Sequence, residues 1–216
     1  MNPQYILVVT VVIIMGWFAF GVIYNLRRGD AVLKWMQDGL PYIGQKTTFR
    51  WLGTSVAELV IAHAKKPFRR LETLVVLKPR DVFWMTIAAY SQGRDDIVIF
   101  RAQLSTAPPV DLELADAKTW SGRNALNQVS ERKWESRAYQ GLQLMAPRGL
   151  LDLATTTLDR LALPRQKLSA RYARFSLRRD APNLELHVPI PAYRTLDARQ
   201  YFEALRALAS AVNERD

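Results

Sequence analysis

The chain has 216 residues, 30 Lys and Arg against 20 Asp and Glu, a formal net charge of +10, and no cysteine. Without cysteine there is no disulfide frame, no thiolate metal site and no cysteine nucleophile, and a reducing compartment suits the chain. The length beyond the apolar N-terminal run is enough for one domain with a sizeable core.

Residues 5–24 form a 20-residue run without a charged side chain, from Tyr5 to Tyr24. At about 1.5 Å per residue such a helix spans roughly 30 Å, the thickness of a bilayer's hydrocarbon core. Its β-branched residues are mediocre helix formers in water, but in lipid a helix is the only single-segment way to satisfy the backbone. A cleaved signal peptide calls for a basic residue before a shorter apolar run; here only Met1-Asn2-Pro3-Gln4 precede it. The run reads as an uncleaved anchor over residues 1–26. Tyr5, Tyr24 and Trp35 are expected at the membrane interface, with Arg27 and Arg28 on the positively charged side. That bias places the N-terminus outside and the remainder in the cytoplasm, so the expectation is a single-pass membrane protein.

Residues 27–45 hold a short juxtamembrane helix. Asp30 stands where a cap belongs, and Val32, Trp35, Met36 and Leu40 recur at helical spacing before Pro41. Residues 46–216 form the cytosolic domain. TTFRWLG and AELVIAHA read as strands. PFRRLETLVVL, residues 67–77, has Pro67 at a first-turn position and apolar residues at helical spacing, which predicts a helix. DVFWMTIAAY and DIVIFRAQL flank a turn containing Gly93, which predicts an antiparallel hairpin with a central first strand. VDLELAD alternates Val110, Leu112 and Leu114 against Asp111 and Glu113. Residues 118–146 are polar and basic and carry no clear period. Residues 147–164 show one helical face, Leu150, Ala154, Thr157, Leu158 and Leu161. KLSARYARFSLRR fits strand or helix. NLELHVPIPAY alternates, with prolines that suit an edge or a strand end. The last element is a helix capped by Thr195, with Phe202, Leu205, Ala209 and Val212 on one face. Strands in hairpins rather than strict βαβ alternation predict an α+β fold: a transmembrane helix, then a largely antiparallel sheet with helices packed on it.

Neither histidine has a second ligand at metal spacing, so His63 and His187 read as structural. Asp95 and Asp96 lie in a turn, where carboxylates serve the backbone. G-x-x-x-x-G-K-[ST], G-x-G-x-x-G and G-x-S-x-G are all missing. No catalytic residue, cofactor, metal, small-molecule substrate or DNA contact is therefore predicted. The basic excess is concentrated between residues 118 and 179, where 13 Lys and Arg face four acids. This window is either an ordinary solvated surface or a phosphate-binding patch. Its arginines, Arg171, Arg174, Arg178 and Arg179, with Arg165 and Lys167, are the candidate contact residues. Of the tryptophans, Trp51 suits the interface, Trp84 the core, and Trp120 and Trp134 either the anchoring of a long loop or base stacking.

The stretches PFRRLETLVVL, DVFWMTIAAY and DIVIFRAQL, then ARYARFSLRRDAPNLELHVPIP leading into YFEALRALASAV, resemble in order and pattern the calumin family. That family belongs to a complex that chaperones multi-pass membrane proteins. The resemblance implies one span followed by a cytosolic α+β domain and no enzymatic activity. The family's lysine-rich coiled coil and acidic pre-span segment have no counterpart here, so ribosome contact is not carried over. The leading expectation is a non-enzymatic, anchored adaptor for a protein or ribonucleoprotein partner at the membrane. The alternatives are a domain that binds anionic lipid headgroups and a membrane-tethered enzyme built from scattered residues.

Overall fold

The computed structural model describes residues 2–163, 168–169 and 171–213; Arg165 and Lys167 lie outside them. Helix α1 runs unbroken from Pro3 to Gln37, about 52 Å at the usual rise. Asn2 caps it by accepting from the Gln4 amide, and Pro3 occupies the first turn, where its missing N–H costs nothing. Asp30 lies inside this helix and caps nothing, so the break expected between an anchor and a juxtamembrane helix does not exist. The N-terminal part of α1 contains an 18-residue window of mean hydropathy 2.8, of which 6% is buried. By length and composition it is able to cross a membrane. The C-terminal part is different: Val32, Leu33, Trp35 and Met36 are buried in the domain core. A single 3₁₀ turn, Leu40–Tyr42, follows.

The domain is one nine-stranded, wholly antiparallel sheet with helices, an α+β fold as expected. The strands are β1 (Thr47–Trp51), β2 (Val56–Ile61), β3 (Phe68–Val76), β4 (Ile97–Leu104), β5 (Leu112–Ala115), β6 (Glu135–Tyr139), β7 (Leu142–Ala146), β8 (Arg174–Leu177) and β9 (Leu184–Pro189). Their spatial order is β1-β2-β3-β4-β9-β8-β5-β7-β6. The helices are α2 (Phe83–Ser91), α3 (Trp120–Ser130), α4 (Leu151–Leu161) and α5 (Ala198–Asn213). Strand alternation divides the sheet into two faces. Leu59, Leu71, Val98, Phe100, Leu186, Phe175, Leu114 and Leu144 point to one side and form a single core with α4, α5 and the end of α1. There Phe100 meets the rings of Tyr201 and Phe202, with centroids 5.9 and 6.2 Å away. The other side carries Glu72, Arg101, Glu185, Arg174 and Glu113, and α3 packs over its β5–β8 region.

Two expected elements are exchanged. PFRRLETLVVL is strand β3, not a helix. The register shifts between Phe68 and Arg70, and this bulge produces the three-residue spacing from Phe68 to Leu71 that mimics a helical turn. DVFWMTIAAY is helix α2, not a strand, and β4 pairs with β3 and β9 instead of with it. Only Thr86 and Ala89 of α2 are buried, three residues apart on one side. Strand β9 is interior, between β4 and β8; its proline, Pro189, ends it. Glu113 does not face solvent but is fully buried. The cap of α5 is Asp197, which accepts from the Arg199 amide at 2.8 Å; the Thr195 hydroxyl bonds to the Ala192 carbonyl. Residues 118–146 hold α3, capped by Thr119 through the Gly122 amide at 2.9 Å, and the β6–β7 hairpin.

Candidate functional site

The end of α1's apolar run is joined to the domain by a buried polar node. Asn25 donates to the Lys78 carbonyl at 3.0 Å and to the Ser55 hydroxyl at 3.2 Å, and its side-chain oxygen accepts from Arg80 at 3.0 Å. Arg80 also forks onto Asp96 at 3.0 and 2.8 Å, and Arg28 reaches the same carboxylate at 2.8 Å. Asp96 accepts from the Lys78 amide as well, at 2.8 Å. It serves the backbone, as a turn carboxylate should, and clamps two arginines besides. The helix can come this close because a Cβ at Gly21 would collide with the Arg80 carbonyl, and one at Gly29 with the Trp51 ring. Gly21, Asn25, Gly29, Val32 and Met36 are all buried at helical spacing, a docking stripe along one side of α1.

The residues expected at the membrane interface are thereby separated. Tyr5 and Tyr24 are exposed, and Arg80 stacks over the Tyr24 ring at 5.0 Å. Arg27 is exposed, whereas Arg28 is spent on Asp96. Trp35 is not interfacial. It is 9% exposed, packs edge-on against Tyr201 at 5.3 Å and donates to the Leu196 carbonyl at 2.6 Å.

Of the candidate contact arginines, Arg171 is largely exposed and pairs with Asp116 at 2.8 Å. Arg179 is exposed, with its amide on Asp111 and its guanidinium on the Pro109 carbonyl. Arg174 and Arg178 are not free surface groups but internal ones, with side chains 14% and 18% exposed. Each bonds the buried Glu113 carboxylate at 2.6 Å. Arg174 also meets Glu185 at 3.1 Å, and Arg101 bridges Glu185 and Glu72 at 3.3 and 3.7 Å. Arg178 stacks on Trp134 at 4.5 Å, and Arg94 on Trp120 at 4.2 Å, so both tryptophans tie the 118–137 stretch to the domain.

This network has a branch that sequence reasoning missed. The Ser121 Oγ lies 2.6 Å from His187 Nδ1, and His187 Nε2 lies 2.7 Å from Glu185. Burial lowers the His187 pKa despite the Glu185 charge. Burial alone would raise the Glu185 carboxyl, but the His187 hydrogen bond and the Arg174 and Arg101 charges bring it to about 2. The neutral ring therefore donates from Nε2 to Glu185 and accepts the Ser121 hydroxyl at Nδ1. The order is that of a serine–histidine–carboxylate relay. The cavity that Ser121 lines measures about 30 Å³, room for roughly one water. The two hydrogen bonds fasten the first turn of α3 to β9.

A much larger concavity lies at the opposite end of the sheet. A groove of about 740 Å³ runs between the C-terminal part of α1 and the edge strand β1, with Leu33, Leu40, Pro41, Phe49 and Leu59 in its wall and Asp30 and Lys34 at its rim. Among the described residues strand β1 pairs only with β2, so its outer backbone groups are open to a further strand. A second concavity of about 350 Å³ gathers Arg27, Arg28 and Arg194 with Tyr24 and Tyr193 at the end of the apolar run. No protein-family model matches the chain, and no curated protein matches it.

Proposed function

We propose that the protein is a single-pass, membrane-anchored binding protein, not an enzyme. Its domain stands on the cytoplasmic side and engages a protein partner that assembles at the membrane. The observation that carries this reading is the continuity of α1. The exposed apolar window and the buried residues Val32, Leu33, Trp35 and Met36 belong to one helix, and the Asn25–Arg80–Asp96 node locks the junction. A domain fused to its anchor without a linker presents a fixed face to whatever lies in or on the same bilayer. Arg27 and Lys34 support the cytoplasmic orientation.

The groove beside β1 suits an extended segment of the partner, which would add a strand to the open edge and seat apolar side chains against Phe49 and Leu59. The pattern resemblance to the calumin family supports a role in membrane-protein biogenesis. Exposed Arg123, Arg132, Lys133, Arg171 and Arg179 keep a ribonucleoprotein partner within the reading. The test is photo-crosslinking of the full chain in native membranes, from a reactive side chain at Phe49 or at Arg132. A discrete protein adduct at Phe49 is expected. Adducts only at Arg132, removed by ribonuclease, would refute the groove and move the contact to RNA. Digestion of the domain by protease added outside intact cells would refute the orientation.

A second reading is favoured by the arginine-lined concavity at the end of the apolar run: a seat for an anionic headgroup. Co-purification of anionic lipid with the wild type, lost in Arg27→Ala/Arg194→Ala, would establish it. Equal lipid content in the two would remove it.

A further inference from the structure

We propose that α2 is a second membrane-contacting element, lying in the headgroup and upper acyl region beside α1 with its apolar face in lipid. The proposal rests on the anchor reading above and extends it. Phe83, Trp84, Met85, Ile87 and Tyr90 are all exposed, Trp84 to 69%. No charged residue occurs between Val82 and Gly93. Such a patch, confined to a nine-residue helix, has no counterpart elsewhere on the described part of the domain, and water does not favour it.

The position of α2 says what covers it. Its first residue, Phe83, packs edge-on against Trp17 of α1, with ring centroids 5.2 Å apart. The backbone just before it, at Arg80 and Asp81, is seated on Gly21. Trp17 and Gly21 both belong to the uncharged run that ends at Tyr24. Trp17 lies seven residues inside that end, about 10 Å along the axis. Interfacial helices bury their apolar face by about 5–10 Å, so α2 and the end of the span reach matching depths. The cations around α2 lie where headgroup phosphates would be: Lys78 stacks on Tyr90 at 4.3 Å, and Arg80 on Tyr24. Tyrosine and tryptophan are the residues the interface selects. The domain thus has two attachments to one bilayer, which fix its rotation about α1 as well as its distance.

The chain's lack of cysteine allows a direct test on the full protein in phosphatidylcholine–phosphatidylglycerol vesicles. Single cysteines are introduced as Trp84→Cys, Met85→Cys and Ile87→Cys on α2, Ile13→Cys on α1 and Asn124→Cys on α3. Each carries an environment-sensitive fluorophore, read against lipids quenching at shallow or deep positions and against an aqueous quencher. The α2 labels are expected to be quenched several-fold more by shallow lipid quencher than the Asn124→Cys label, and to resist the aqueous one. Ile13→Cys should respond to the deep quencher. Aqueous behaviour at all three α2 positions, with Ile13→Cys in lipid, overturns the proposal and leaves the anchor standing. Aqueous behaviour at Ile13→Cys as well overturns the anchor reading and this proposal together.

Discussion

Replacing Glu113 by glutamine tests whether the charge ladder on the second sheet face carries stability. Glu113 is fully buried and is bonded by both Arg174 and Arg178. Glutamine keeps the volume but removes the charge that compensates two largely buried guanidinium groups. Breaking a buried pair from one side costs about 3–5 kcal/mol, because the remaining charge is left unpaired in a low-dielectric site. Glu185 still holds Arg174 at 3.1 Å, so most of the loss comes from Arg178. For a domain of this size, about 2–4 °C of melting temperature per kcal/mol gives a fall of roughly 6–20 °C. The surface pair Arg137–Asp152 is nearly as short, 2.8 Å against 2.6 Å, but its side chains are 48% and 90% exposed. Arg137→Ala is worth about 0–1 kcal/mol. Thermal unfolding of the full chain in detergent, followed by tryptophan fluorescence, compares the two. Replacing Glu113, Arg174 and Arg178 together by Leu, Met and Met should recover most of the loss, since the desolvation cost leaves with the charges. A Glu113→Gln variant within about 1 kcal/mol of wild type would refute the reasoning.

Stability should fall in acid in two stages. His187, whose pKa burial lowers from 6.5, takes up its proton first in the unfolded chain, so stability is lost as pH drops below about 6.5. Glu185 extends the loss as pH falls from its ordinary 4.5 toward about 2. His187→Gln should flatten the upper stage, and an unchanged slope between about pH 7 and 5 would remove this assignment. Gly21→Leu should destabilise the junction by about 1–3 kcal/mol through collision with the 80–81 backbone. Gly16→Leu, where a Cβ meets nothing within 4 Å, should not; equal proteolytic sensitivity of the two variants would contradict the docking stripe. Tyr201→Phe should be neutral or stabilising by about 1 kcal/mol, because the buried Tyr201 hydroxyl has no hydrogen-bond partner among the described residues. A clear loss of melting temperature would show that the hydroxyl has a use.

Where one side of an element faces water and the other the core, the sequence pattern was readable. The face Ala154, Thr157, Leu158 and Leu161 of α4 and the face Phe202, Leu205, Ala209 and Val212 of α5 are both buried as the helical period requires. Strands β1 and β2 lay where their β-branched and aromatic residues placed them. The internal ladder was hidden because each charge looks solvated from its own strand: Glu113 alternates with Leu112 and Leu114 as an outward residue would. Its arginine partners stand 61 and 65 positions away on another part of the chain, and no local period reports that distance. The docking stripe of α1 was more accessible. Gly21, Asn25 and Gly29 recur every four residues, and a polar side chain just past an apolar run invites a search for its partner.

The exchange of β3 and α2 has a single physical origin. Hydrophobic periodicity reports the contrast between two environments, and both segments lack that contrast. β3 is apolar on both sides: Leu71 and Val75 enter the main core, while Leu74 and Val76 pack with Ile97 and Ile99 on the opposite face. With the bulge at Phe68 and Arg70, its alternation is lost twice over. In α2 the contrast is inverted. Its protein-facing positions are the small residues Thr86 and Ala89, and its large apolar ones face outward. On the proposal that α2 rests in lipid, this inversion is required, since a helix between protein and bilayer has no side that must be polar. The neighbouring apolar helix α1 was the available clue. A segment uncharged over 82–93 and carrying Trp, Phe and Tyr, on a chain whose first helix is long and apolar enough to cross a membrane, is to be weighed as interfacial before it is assigned to a sheet. Labels on α2 that report water would remove this explanation, and the outward aromatic face would then need a protein to cover it.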